Sequence, residues 1–161
     1  MHTYGSALAL IGVTVPDHLQ AETGVPVLTA PQAQGDLLIV PAPAPEGVCW
    51  QGVLDSGEQV VHGEATGNTH WLHRGFDSPG VRWARADGQD ALVVGYVEVP
   101  QGQTALLVHT DEHGANGLGP GTYAIRRKRE FKRPEPQLAT QPLLRGLTRR
   151  PDASAWDLVW D

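Results

Sequence analysis

Five of the chain's seven histidines, His62, His70, His73, His109 and His113, fall between positions 62 and 113, with Glu64 and Glu112 among them. Imidazole and carboxylate donors together suit a divalent metal such as zinc, iron, manganese or nickel. His70, His109 and His113 are the candidate ligands. His109 and His113 reach one ion if the turn between them closes, and Glu64 and His70 add donors from a neighbouring hairpin. Without a metal, His113 beside Glu112 is a candidate general acid or base, because imidazole titrates near neutral pH. The competing structural reading is that these histidines cap turns and bond backbone at strand ends. The cupin spacing, His-x-His followed by Glu and a later His, is not met: Asn68 stands at the first histidine position of Asn68-Thr69-His70, and no suitably placed Glu follows. No Ser-His-Asp order, phosphate loop or paired-cysteine motif is present. The glycines of 114–121 lead into a strand pattern and not a helix, which excludes a dinucleotide fingerprint.

The second chemical feature is the basic run at 121–131. As a strand it sets Tyr123, Ile125, Arg127, Arg129 and Phe131 on one face and Thr122, Ala124, Arg126, Lys128 and Glu130 on the other. Arg127 and Arg129 then lie between aromatic ends, and covering them requires anions or carbonyls for their guanidinium groups. The alternative is an edge strand whose cations discourage sheet-to-sheet aggregation.

The elements that must position these groups read as strands. Residues 36–41, 58–62, 69–73, 81–86, 91–99 and 104–109 are apolar or alternating runs separated by Gly, Pro and Asn turns. Residues 91–99 give the strongest run, with Gly95 as a candidate bulge, and Asp87-Gly88 before it signals a hairpin. Strand signals about every ten residues predict an all-β small barrel or sandwich. Three segments follow: an N-terminal arm at 1–33 with a short helix over 16–22, a β domain at 34–131, and a proline-rich C-terminal tail at 132–161. The bend at 111–121 is expected to be irregular. Trp156, Leu158 and Trp160 alternate, so the tail is expected to dock as an edge strand on this domain or on a neighbour.

Composition bounds the setting. The net charge is −6 at pH 7, but residues 1–73 carry seven acids and no Lys or Arg, whereas 74–161 carry all 12 basic residues. That asymmetry favours self-complementary docking or one anion-binding strip, and disfavours nucleic-acid binding by the whole surface. The single Cys49 excludes an internal disulfide framework and points to a reducing cytoplasm. Beside Trp50 it reads as a buried small hydrophobe. No run is long enough to span a bilayer as a helix, and 7–15 lacks the flanks of a signal peptide.

Three pieces resemble a family of small bacterial and phage β-proteins: Gln34-Gly35-Asp36-Leu37-Leu38-Ile39; His62-Gly63-Glu64-Ala65-Thr66-Gly67-Asn68-Thr69-His70; and His109-Thr110-Asp111-Glu112-His113, leading to Gly121-Thr122-Tyr123 and Arg127-Lys128-Arg129-Glu130-Phe131. The chain departs from the pattern at Asn68, Lys128 and Phe131, where His, Gln and Tyr are expected. The resemblance implies one site formed by Glu64, His70, His113, Tyr123, Arg127, Arg129 and Glu130. In it Glu64, His113 and Glu130 act as catalytic groups and Tyr123, Arg127 and Arg129 bind the ligand. The expected function is a His/Glu/Arg site for a metal or an anionic ligand, with hydrolysis as the chemistry open to it. The alternatives are a phage head or tail component that self-associates through its tail, hence a virion location, and single-stranded RNA binding by 123–131.

Overall fold

The computed structural model describes residues 1–62, 69–111, 113–131 and 156–158; the side chains of His62, Glu130, Phe131 and 156–158 are outside that description. Two sheets pack face to face. Among the described residues the five-stranded sheet has the order β1-β10-β9-β6-β5 and the six-stranded sheet β2-β3-β11-β8-β7-β4. The strands are β1 Val27–Leu28, β2 Gln32–Gln34, β3 Leu37–Pro41, β4 Gln51–Gly52, β5 Glu58–His62, β6 Thr69–His73, β7 Arg82–Arg85, β8 Val93–Val99, β9 Ala105–His109, β10 Ala115–Leu118 and β11 Gly121–Arg127. The sheets do not close on each other, so of barrel and sandwich the fold is the sandwich. No helix among the described residues is long and apolar enough to cross a membrane.

Side-chain alternation fixes what faces what. On β9, Ala105 and Leu107 point between the sheets and join Leu72, Leu37, Ile39, Val97, Tyr123 and Ile125 in the main core. Leu106 and Val108 point the other way, into a second cluster with Ala7, Leu8, Val25 and Ala115. β9 is therefore buried on both faces, and its sequence reads as a continuous apolar run instead of an alternation. The cover on its outer face is α1, Tyr4–Ala9, closed at its N-terminus by a capping box between Thr3 and Ser6. The N-terminal arm thus stays out of the main core but roofs one sheet.

Several local expectations change. Residues 16–22 form no helix: the backbone makes successive turns, with Leu19 N–H donating to Pro16 O and Thr23 N–H to Gln20 O. The bend at 111–121 contains β10, which pairs antiparallel with β9, and Gly117 lets β1 approach its other edge in parallel. A Cβ there would lie 2.6 Å from Pro26 O. The run 121–131 breaks at Lys128, whose N–H turns to donate to Asp36 O. Beyond the break, β12 (Arg129–Phe131) pairs antiparallel with β13 (Trp156–Leu158), so the tail returns to its own chain as an edge strand. Cys49 is exposed and not buried. It precedes the two-residue edge strand β4, too short to cover it, and lines a shallow cleft of about 200 Å³ with Arg85 and Tyr96.

Candidate functional site

The site begins with strand register. β6 and β9 are antiparallel neighbours, and His70 stands directly opposite His109. His70 shares its face with Leu72, and His109 with Leu107, so both rings point between the sheets. They are 2 % and 0 % exposed, and their centroids lie 4.6 Å apart. His113, exposed in the turn after β9, continues the row with its ring 4.7 Å from that of His109. The facing sheet supplies a carboxylate: Asp36 Oδ1 is 3.8 Å from His70 Nε2, and Asp36 is also buried. A chain of titratable groups therefore runs from a buried acid through two buried imidazoles to solvent. Arg127 reaches the same end of the sandwich. It pairs in register with Leu37, next to Asp36, and its Nη1 is buried.

Asp36 is held by the turn before β3. Gly35 takes φ 54°, and the carbonyls of Gly35 and Asp36 accept from Lys128 Nζ and Lys128 N respectively. Gln34 fastens the opposite sheet to this turn. Its Nε2 donates to Leu107 O and Gly114 O, which flank the His109 turn.

Two histidines share a local geometry that decides their tautomer. His109 Nδ1 accepts the N–H of Asp111, and His73 Nδ1 accepts that of Gly75. A ring nitrogen that accepts carries no proton, so in the neutral ring the proton sits on Nε2. In His73 that N–H donates to Asp55 O at 2.6 Å. For His109, metal ligation through Nε2 requires moving the proton to Nδ1 and losing the Asp111 bond.

Of the sequence candidates, the structure brings together His70, His109 and His113, with Arg127 at the same end. Tyr123 does not join them. It is 1 % exposed in the main core, and its hydroxyl donates to Gly119 O, four residues back, as a strand-corner tyrosine does. Burial raises its pKa above the usual phenol value. Tyr123→Phe is therefore expected to leave ligand binding unchanged and to destabilise the fold by about 1–3 kcal/mol through the orphaned Gly119 carbonyl. Denaturant titration of both proteins checks this, and an unchanged midpoint would contradict the assignment.

The basic run is largely engaged inside the molecule. Arg126 pairs with Asp90 at 3.1 Å, Lys128 holds Gly35, and Arg129 is exposed on the β12–β13 ribbon. Glu64 and Glu112 lie outside the described residues, as does the Glu130 side chain. Sequence reasoning missed Asp36 and Gln34 as site residues. Their signal was two polar residues flanking a glycine at the mouth of the first firm strand.

Among the described residues no group of three or more His, Cys, Asp or Glu side chains is arranged to hold a metal ion. No curated protein and no solved structure matches the chain. Residues 33–128 match the family described as Domain of unknown function (DUF8820), a span that takes in Gln34, Asp36, His70, His109, His113 and Arg127. The match covers more than half the chain and every described element of the site, and the protein belongs to the DUF8820 family.

Proposed function

We propose that the histidine end of the sandwich binds a small anionic ligand and carries acid–base capacity suited to hydrolysis. The observation that carries this reading is the row Asp36–His70–His109–His113, in which a buried carboxylate of one sheet meets imidazoles of the other and the last ring reaches solvent. Guanidinium and imidazole N–H groups donate to anions, and an imidazole can pass a proton to or from a bound group. A divalent metal is the weaker reading, because the His109 tautomer opposes ligation through Nε2 and the described donors do not converge as a ligand set. RNA binding by 123–131 is weakened by the engagement of Arg126 and Lys128 within the fold.

Inorganic phosphate is the probe. Millimolar phosphate is expected to shift the imidazole NMR signals of His113 and His109. His113→Ala, at an exposed position that leaves the core intact, is expected to weaken the response about tenfold or more. Imidazole signals indifferent to phosphate would sink the reading.

A further inference from the structure

A cleft of about 350 Å³ opens on the outer face of the five-stranded sheet, the face of β9 that carries Leu106 and not His109. That volume is in the range of small-molecule sites. Its floor is Val25 and Leu106, each 2 % exposed, with Val27 of β1 beside them. Its walls are tied together: Ser78 Oγ accepts the N–H of Thr104 at 3.1 Å, and His2 O accepts that of Val25 at 2.8 Å. Two acceptors, on His2 and Asp77, line the same cleft. The Ser6 hydroxyl gives its one proton to Thr3 O, so in its 3.4 Å contact with His2 Nδ1 the imidazole is the donor. The neutral His2 ring therefore leaves Nε2 bare. Gly75 leaves room beside both groups: a Cβ there would lie 2.9 Å from His2 Nε2 and 3.2 Å from Asp77 Oδ1. The two acceptor atoms are thus within about 6 Å of each other, the widest gap that one donor nitrogen bridges with ordinary hydrogen bonds. Neither atom takes a hydrogen bond or ion pair from the described residues.

We infer that this cleft binds a small primary ammonium ion carried on an apolar stem. The ammonium donates to Asp77 Oδ1 and His2 Nε2, and the stem covers Val25, Val27 and Leu106. The inference is independent of the anion-binding reading, whose histidines lie between the sheets. A neutral hydroxyl is the poorer fit: its one proton cannot serve both acceptors, and it leaves the carboxylate without a countercharge. A divalent metal is also the poorer fit, because the floor is apolar and the described residues add no third His, Cys, Asp or Glu donor. Asp77 is exposed, so the attraction is screened by salt and is best read at low ionic strength.

The experiment titrates the full chain at neutral pH with benzylamine, an ammonium ion there, with benzyl alcohol and with methylamine, reading the methyl NMR signals of Val25, Val27 and Leu106. Benzylammonium is expected to bind with a Kd on the order of 1 mM. Benzyl alcohol and methylammonium are expected to bind at least about tenfold more weakly, the first for want of charge and the second for want of a stem. Asp77→Asn, an exposed position, is expected to fold as the parent does and to lose about tenfold for benzylammonium and little for the alcohol. Equal affinity for the alcohol overturns the ammonium assignment, and equal affinity for methylammonium overturns the role of the apolar floor. No response to any of the three overturns the site. An Asp77→Asn protein that binds benzylammonium as tightly as the parent removes the carboxylate from the role. The comparison of the three probes in the unaltered protein decides the matter even if the variant fails to fold.

Discussion

Gly95→Val is expected to destabilise the protein by about 3 kcal/mol or more, or to prevent folding. Gly95 lies on β8, the strand between β11 and β7, and pairs with Ile125 on one side and Arg85 on the other. A Cβ there would fall 2.5 Å from Ala84 O and would run into the Trp83 indole, whose Cζ2 lies 2.6 Å away. The carbonyl belongs to a ladder strand and cannot move aside, and Trp83 is 4 % exposed within the main core. The indole fills the space that a side chain at 95 would need. Register also shifts here: Ile125 faces Gly95, but Arg126 faces Val93, so Val94 is the extra residue of a bulge. Denaturant unfolding measures the effect, and a melting point roughly 10 °C lower is the thermal counterpart for a chain of this size. A variant within about 1 kcal/mol of the parent would show that strand and indole separate more readily than this packing implies.

Gly95 also shows what could be read before any coordinates. An isolated glycine inside the most apolar run marks a bulge or a close approach, and the structure has both. The six strand runs from 36 to 109 were legible from local signals: alternation where one face is buried, a continuous apolar run where both are, as on β9, and turn residues between them. The missed elements depend on distant partners. β10 folds back on β9, but two of its four residues are Asn116 and Gly117, and its other edge is covered by β1, ninety residues earlier, which packs against Gly117. α1 is only six residues long and owes its place to Leu106 and Val108 across the second apolar cluster. No window on the sequence contains either covering contact.

The site was half legible on the same terms. The histidines stood out by type and spacing, and β6–β9 register then placed His70 against His109. Asp36 belongs to the other sheet, so its contact with His70 is a fact of packing and not of spacing. Tyr123 was misplaced because alternation gives a residue's face but not its depth along the sheet. It does share the inward face with Ile125, yet its hydroxyl is committed to Gly119 O.

His73 is the second position of large expected effect, and it separates structural from functional histidines. It is fully buried at the end of β6, where Nδ1 accepts from Gly75 N–H at 2.9 Å and Nε2–H donates to Asp55 O at 2.6 Å. His73→Ala removes both bonds, strands a buried amide, and opens a cavity, for a loss of about 3 kcal/mol or more. The bonding also requires the neutral ring, since a proton on Nδ1 would face the Gly75 N–H. Burial accordingly holds the His73 pKa below the ordinary imidazole value of 6.5; nearby His2 and Arg74 push the same way, and the Asp55 carbonyl and carboxylate oppose them. The sign of the pH effect follows. The unfolded chain binds this proton more readily than the native one, so the stabilising contribution is complete above about pH 6.5 and declines as pH falls from there towards the lower native value. Stability measured from pH 7.5 down to 5 should fall in the parent protein, and the fall should be shallower in His73→Ala, each unit of pKa difference corresponding to about 1.4 kcal/mol. The other buried imidazoles contribute equally to both curves, so the difference between the curves isolates His73. Parallel curves would mean that His73 takes up its proton in the fold as easily as in the open chain, and the two-bond tautomer would have to be given up.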